Sequence, residues 1–288
     1  MATAATGFRD TPRFPWAPER AYVRNHMSQL LATAGSWIDR IKINALTREV
    51  RDGRPLWVKR RTASARAIIH AANSFFRLVG NPVVVLGEIE EWRRWEISCF
   101  LRLHGDAFCA FEDGTRGICA EEMPGRNLSR LLDEGSLTAS MLAAAARELR
   151  RAHACECTTF EGLWSHGDPH LGNFLYDAVH DRARLIDFEV RHRRDIDART
   201  RHGDDLLVFL QDLVGRVSRS EWLPFAHAFL SAYDEPETVA QVASRLVPPR
   251  GMAWLWWAVR TTYLTPRELA DRLSSLRSAL VASAGVRC

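Results

Sequence analysis

The chain has 288 residues, 47% hydrophobic and 26% charged, which argues against a disordered or fibrous chain and fits one or two globular domains. Its net charge of +4 suits an anionic ligand but is too mild to predict nucleic-acid binding. Lysine is scarce, because only Lys42 and Lys59 occur among the 39 basic residues.

The sequence predicts no membrane span, secretory signal or structural metal. No stretch reaches the roughly 18 apolar residues that a membrane-spanning helix needs. The segment from Met1 to Arg20 lacks the apolar run of a secretory signal, so we expect a cytoplasmic protein. Cys155 and Cys157 lack a second pair at zinc-ligand spacing, so reduced thiols are favoured over a zinc site.

The first half of the chain predicts a small unit of strands and helices. An Asp52-Gly53 turn between two alternating runs predicts a hairpin, with Lys59 near the end of the third strand. In chain order we predict a leader over 1–17, a helix over 19–33, strands over 37–43, 47–50 and 56–60, helices over 64–79 and 88–103, and strands over 108–111 and 117–123.

The second half predicts an α-rich unit that begins after Pro124-Gly125. Thr138 is placed to cap an alanine-rich helix that ends at His153. The predicted helices cover 127–132, 138–153, a segment from 202 onward, 219–232, 236–246, 250–262 and 266–284. Trp254, Trp256 and Trp257 share one of them, which we interpret as a buried helix in preference to a membrane-interface belt.

The most informative motif lies between these helices. Asp168 follows His166-Gly167, Asn173 comes five positions later, and Asp187-Phe188 follows after two short predicted strands. Phosphoryl transfer from a nucleotide needs one carboxylate near the acceptor hydroxyl. It also needs an amide oxygen and a second carboxylate to hold Mg²⁺ against the phosphates. The three polar side chains match this requirement in type and spacing.

The motif resembles the catalytic and metal-binding loops of the protein-kinase-like superfamily. It most resembles the branch of aminoglycoside/choline-type phosphotransferases and lipopolysaccharide-core sugar kinases, which favours His-Gly-Asp where protein kinases carry His-Arg-Asp. The resemblance implies a bilobal α+β fold with a small antiparallel-sheet N-lobe plus helix and a larger, mainly helical C-lobe. We expect a leader and helix over 1–35, the N-lobe over 36–123 and the C-lobe over 124–288.

The resemblance also assigns roles to residues that bind ATP and Mg²⁺. Asp168 would be the catalytic base, while Asn173 and Asp187 would hold Mg²⁺. Lys59 would neutralise the phosphates, oriented by Glu96, whose helix face is turned inward by the apolar residues that follow it. Glu91 is the alternative partner of Lys59.

Further roles follow from position alone. The main chain of Glu121 to Met123 would form the hinge that binds adenine. The resemblance implies that His166 would support the loop and that Asp205 would hydrogen-bond the loop backbone, with Asp204 as a possible N-cap instead. The glycine-rich phosphate lid expected between the first two strands is missing, because residues 44–46 contain no glycine.

The expected substrate is the hydroxyl of a small molecule or glycolipid. The interval from Asp187 to Asp205 is too short for the peptide platform of protein kinases, and Gly167 replaces the arginine that pairs with an activation-loop phosphate. A lipopolysaccharide-core sugar is favoured and an aminoglycoside-like acceptor is next. The arginines of 191–201 could bind an anionic acceptor, although a solvated, self-paired charge run is favoured.

The alternatives are a catalytically weak pseudokinase or nucleotide-binding scaffold, which the missing glycines favour, and an atypical protein kinase. Contact with a membrane surface is also compatible with the sequence.

Overall fold

The computed structural model describes residues 43–261 and 264–285. The predicted leader, the helix over 19–33 and all but the last residue of the strand over 37–43 lie outside these residues. No helix within the described ranges is long and apolar enough to cross a membrane.

Strands and helices alternate in the first part of the chain, and helices dominate the second. The strands are β1 (Asn44–Arg51), β2 (Arg54–Arg61), β3 (Val83–Val85), β4 (Ala110–Asp113), β5 (Gly117–Glu121), β6 (Arg126–Asn127), β7 (Glu156–Cys157), β8 (Gly162–Leu163), β9 (Phe174–Asp177), β10 (Arg182–Leu185) and β11 (Val190–His192). The helices are α1 (Ala65–Leu78), α2 (Ile89–His104), α3 (Leu128–Asp133), α4 (Ala139–His153), α5 (Ala198–Arg216), α6 (Arg219–Tyr233), α7 (Pro236–Arg245), α8 (Ala253–Arg260) and α9 (Pro266–Gly285).

The largest sheet is antiparallel, with strand order β1-β2-β5-β4. Asp52 and Gly53 both have left-handed backbones, with φ of 50° and 76°, and this two-residue turn matches the twist of β1 and β2. The predicted hairpin is therefore confirmed. The prediction of a loop over 44–46 is wrong, because these residues form the first part of β1 opposite the end of β2.

Helix α2 joins the sheet to the helical part. Its buried face, which includes Trp92, Trp95 and Phe100, belongs to the same hydrophobic core as α4 and α5. At its end, His104 Nε2 lies 2.8 Å from the carbonyl oxygen of Leu185, in the strand that precedes the Asp187 motif. The predicted α+β architecture is confirmed, and α2 fixes the position of the sheet against the motif.

A two-stranded sheet makes a second connection. Strand β11 pairs with β3 in antiparallel register, with Val190 opposite Val85 and His192 opposite Val83. The Asn73 side chain of α1 bonds both the N–H and the carbonyl of Val85 at 2.9 Å, which fixes α1 to the same sheet. The segment that follows Asp187 is thus paired with the first part of the chain.

Helix α5 begins at Ala198, earlier than the predicted start at 202. The Asp197 side chain caps it by accepting the N–H of Thr200 at 2.9 Å. The alternative of Asp204 as N-cap is therefore wrong. Asp204 is buried inside the helix, where it accepts from Arg245 at 2.7 Å and lies 3.3 Å from His192 Nε2.

Two buried histidines make the stability of the fold dependent on pH. The rings of His153 and His202 stack with centroids 3.9 Å apart, and His202 Nε2 donates to the carbonyl of Trp164 at 2.9 Å. Burial lowers the pKa of His153, and it lowers the pKa of His202 to about 3. Both rings are therefore neutral at pH 7.

We expect the free energy of unfolding to fall as the pH drops below about 6.5. The unfolded chain binds protons there, whereas the folded state does not until the pH nears the lowered pKa. His202 alone should cost about 2 kcal/mol at about pH 5. Urea unfolding at several pH values tests this, and His202→Gln should flatten the dependence while His70→Gln, at an exposed position, should not. A free energy that stays constant between about pH 7 and pH 5 would contradict the prediction.

Candidate active site

Lys59 lies on the sheet face that is turned toward α2. Its Nζ is 2.7 Å from Glu96 Oε1, and the other oxygen of Glu96 accepts the indole N–H of Trp92 at 2.6 Å. Glu91 pairs instead with Arg191 at 2.7 Å. The structure therefore brings Lys59 to Glu96, and the carboxylate is held by two donors.

Two further carboxylates face Lys59. Its Nζ forms an ion pair with Asp187 and lies 3.6 Å from Glu189 Oε2. Burial would lower the pKa of Lys59, but the charges of Asp187, Glu189 and Glu96 outweigh it and raise the pKa well above its usual value. Burial likewise opposes ionisation of Asp187, yet Lys59 holds the pKa of that carboxyl below its ordinary value.

Glu189 is a site residue that the sequence analysis missed. Its carboxylate accepts from the side-chain amide of Asn44 and lies 3.5 Å from Arg61 Nη1. Burial raises the pKa of Glu189 most, and the negative charges of Asp187 and Glu96 raise it further. The charge of Lys59 opposes this rise, and the resulting pKa is about 7. Its position one residue past Asp187-Phe188 was the available indication, since alternate residues of an extended segment share a side.

The loop that carries Asp168 is held from below by Asp205 in α5. The carboxylate accepts the N–H groups of His166 and Gly167 at 2.8 and 2.7 Å and contacts His153 Nε2 at 2.9 Å. Burial alone would raise the pKa of Asp205, but three neighbouring histidines and these hydrogen bonds lower it strongly. Asp205 therefore holds the loop backbone as a fully buried anion.

His166 connects the two halves of the motif. Its Nδ1 accepts the N–H of Asp168 at 3.2 Å, and its Nε2 donates to the carbonyl of Ile186 at 3.1 Å. Burial lowers the pKa of His166, which keeps the ring neutral and suits one accepting and one donating nitrogen. The ring thus sets Asp168 beside the residue that precedes Asp187.

Asn173 and Asp187 suit a hard divalent cation. The amide nitrogen of Asn173 donates to the carbonyl of Asp168 at 2.8 Å, which leaves its oxygen as the free ligand atom. Asp187 has φ of 67°, and one of its oxygens is used by Lys59. Within the described ranges no group of three His, Cys, Asp or Glu side chains could hold a metal by itself. Mg²⁺ commonly takes only one or two protein oxygens, together with water and phosphate, so this pair fits it.

Asp168 has a partner that the sequence did not reveal. Arg260, the last residue of α8, donates to Asp168 Oδ1, and its guanidinium lies over the Trp256 ring at 4.5 Å. Asp168 Oδ2 lies 3.9 Å from His170 Nε2. Burial would raise the pKa of Asp168, but the charge of Arg260 outweighs it and lowers the pKa, so the carboxylate is ionised near neutral pH.

At the predicted hinge, most N–H groups are already used. Glu121 N–H donates to the carbonyl of Cys109 at 2.8 Å, and Glu122 N–H donates to that of Pro55 at 2.9 Å. Met123 is buried, and its N–H has no partner in the part of the chain that the structure describes. A purine read by N–H groups at this edge would therefore use Met123 rather than Glu121.

The arginines of 191–201 do not form an anion site. Arg191 binds Glu91, Arg193 lies 3.4 Å from Asp195, and Arg201 is buried against main-chain carbonyls. The favoured interpretation of a solvated, self-paired charge run holds for Arg193 with Asp195, but it is wrong for Arg191, whose partner lies outside the run, and for the buried Arg201.

No family model matches the sequence, and no curated protein sequence matches it either. Solved structures that match the chain include an ethanolamine kinase from Plasmodium vivax, with 14% identity, a TM-score of 0.45, and coverage of 83% of this chain and 79% of that one. A Mycobacterium tuberculosis protein in complex with erythromycin has 14% identity, a TM-score of 0.37 and coverage of 83% and 71%. WbdD has 17% identity, a TM-score of 0.32 and coverage of 77% and 50%, so this chain spans half of it.

The contacts within the chain are more specific than these comparisons. Three contacts occur together in this chain. Lys59 of the sheet pairs with Glu96 of a helix, His166 links the Asp168 and Asp187 loops, and the buried Asp205 lies beneath them. These contacts join the sheet, helix α2 and the two loops into one site within the α+β fold that the sequence predicted.

Proposed function

We propose that this protein transfers the γ-phosphoryl group of ATP, bound with Mg²⁺, to a hydroxyl of a small molecule or glycolipid. The observation that carries the proposal is the convergence of charge at one place. Lys59, paired with Glu96, contacts Asp187, while His166 ties the Asp187 segment to the loop of Asp168 and Asn173.

In the proposed reaction, Asp168 Oδ2 accepts the proton of the acceptor hydroxyl. The acceptor oxygen forms a bond to the γ-phosphorus as the bond from that phosphorus to the bridging oxygen breaks, and ADP leaves with the electron pair. Asn173 and Asp187 would hold Mg²⁺, which supplies charge to offset that of the phosphates. Lys59 would neutralise phosphate charge while Glu96 keeps its ammonium in place.

The cation requirement also follows from the charges around Lys59. Three carboxylates, those of Glu96, Asp187 and Glu189, face Lys59 and the buried Arg61. With Glu96 and Asp187 ionised the cluster is neutral. Ionisation of Glu189, whose pKa is raised to about 7, adds one negative charge that a bound divalent cation would offset.

A small acceptor fits the site better than a peptide. The segment after Asp187 is taken up by β11, whose pairing with β3 supports no separate peptide platform. Trp256 is half-buried and Trp257 is buried, which favours packing of helix α8 against the protein over a membrane-interface role. We propose a cytoplasmic enzyme, with any membrane contact at the membrane surface. A lipopolysaccharide-core sugar is the favoured acceptor and an aminoglycoside-like one the next. The pseudokinase scaffold and the atypical protein kinase are the alternatives.

We expect ATP to stabilise the protein in a Mg²⁺-dependent manner. A ligand at about a hundredfold excess over its Kd adds about 2.7 kcal/mol to the free energy of unfolding. A thermal-shift titration with and without Mg²⁺ measures this. Asp187→Ala should abolish the Mg²⁺-dependent part, whereas Asp195→Ala, at a side chain that is 71% exposed, should keep it. Absence of a shift in the wild type would contradict ATP binding at this site, and an unchanged shift in Asp187→Ala would overturn the metal assignment.

A further inference from the structure

Arg260 differs from the buried Arg201 and Arg272 in how its charge is compensated. Arg201 donates to the carbonyl of Leu163 at 2.7 Å, and Arg272 donates to those of Val214 and Val217. Arg260 has no main-chain acceptor among the described residues, and its one ion pair there is with Asp168. Its charge is therefore compensated by the predicted catalytic base and not by the scaffold.

The guanidinium of Arg260 has spare donor capacity. It carries five N–H donors, of which Asp168 Oδ1 takes one, and its buried Nε has no hydrogen-bond partner within the described ranges. The side chain is 15% exposed, so part of the guanidinium is accessible to a ligand. An anion of the acceptor could use these donors.

The position of Arg260 is fixed by aromatic packing. Its guanidinium stacks on Trp256, and Trp256 contacts Phe76 of α1 edge-to-face with centroids 5.3 Å apart. Phe75 approaches the same indole at 6.5 Å. Helix α1 thus holds the arginine beside Asp168 without providing a counter-charge.

The charges beside Asp168 suit an anionic group of the acceptor better than a cationic one. Asp212, the nearby carboxylate, accepts the N–H of Leu171 at 2.9 Å and lies 3.8 Å from Arg216 Nη1. Arg216 also binds Asp133, and His170 stands between Asp168 and Asp212, 3.9 Å from each. An ammonium group would meet Arg260 at close range, which costs free energy, whereas a phosphate or carboxylate would gain charge-assisted hydrogen bonds.

We propose that Arg260 recognises the acceptor and that this acceptor carries a phosphate or carboxylate group besides the hydroxyl that is phosphorylated. The inference rests on the proposed function and specifies its substrate class. Asp168 Oδ2 stays available for the hydroxyl, because Arg260 uses Oδ1. The planar guanidinium suits both oxygens of a phosphate or carboxylate better than an ammonium would.

Inorganic phosphate is the probe for this site. Isothermal titration is carried out with the full chain saturated with Mg²⁺ and a non-hydrolysable ATP analogue, so that the nucleotide site is filled. We expect the wild type to bind phosphate and Arg260→Gln to bind it about tenfold more weakly or worse. Arg260→Lys keeps the positive charge but loses the planar guanidinium, so its affinity for phosphate should lie between those of the wild type and Arg260→Gln. Arg199→Gln, at an exposed arginine paired with Glu237, should match the wild type.

The two proposals fail separately. Absence of phosphate binding in the wild type, or equal affinity in Arg260→Gln, would overturn the anionic-acceptor inference. The Mg²⁺-dependent shift with ATP should persist in Arg260→Gln, which also shows that this variant is folded. If the wild type shows neither phosphate binding nor the ATP shift, the proposed function is overturned as well.

Discussion

Replacing Asp168 with asparagine is expected to lower the rate of phosphoryl transfer by about 10²- to 10⁴-fold, because the amide cannot accept the proton of the acceptor hydroxyl. The amide oxygen can still accept from Arg260, so the loop geometry should be retained. Affinity for ATP with Mg²⁺ should change little, since Lys59 and Asp187 are untouched.

The measurement is transfer of labelled γ-phosphate to an acceptor in a single turnover, with nucleotide binding followed in parallel. Asp195→Asn is the matched control, because Asp195 is an exposed carboxylate whose partner is Arg193. Wild-type turnover in Asp168→Asn would show that the assigned base is wrong. Loss of nucleotide binding together with turnover would instead point to damage to the loop.

The second large effect is expected on stability. Replacing Asp205 with alanine should lower the free energy of unfolding by about 3–5 kcal/mol, because each buried donor left without an acceptor costs about 1–3 kcal/mol. The carboxylate is completely buried, and its removal leaves the N–H groups of His166 and Gly167 and the ring of His153 without their acceptor. Unpaired buried donors are costly because nothing replaces the water they lost on folding.

Equilibrium unfolding in urea measures this loss. Asp195→Ala should change the free energy of unfolding by less than about 0.5 kcal/mol, as expected at an exposed position. If Asp205→Ala is as stable as this control, the carboxylate does not hold the loop in the way that its contacts indicate.

Local patterns were sufficient to predict much of the fold. The Asp52-Gly53 turn set the first hairpin, and apolar spacing located the helices that became α1, α2 and α4. Glu96 could be favoured as the partner of Lys59, because helical periodicity tells which glutamate shares the buried face.

Contacts between distant segments could not be predicted in this way. Arg260 and Asp168 are 92 positions apart, and neither carries a local pattern that reports the pairing. The start of α5 was misplaced because its first turn is charged, so that the apolar pattern begins later than the Asp197 cap. Glu189 was missed because its partners, Asn44 and Arg61, approach it only in the folded chain.

Strand β11 follows directly after Glu189, and its neighbours extend the ladder, with Leu86 N–H bonded to the carbonyl of Glu189 at 3.4 Å and Arg193 N–H to that of Pro82 at 2.9 Å. Segments that switch enzymes on and off commonly pass between an ordered and a disordered state. A segment that is already paired in a sheet can become disordered only if these backbone hydrogen bonds break. We therefore expect this segment to stay ordered without a separate activating step. The rate of the proposed reaction would then depend on the concentrations of substrate and protein.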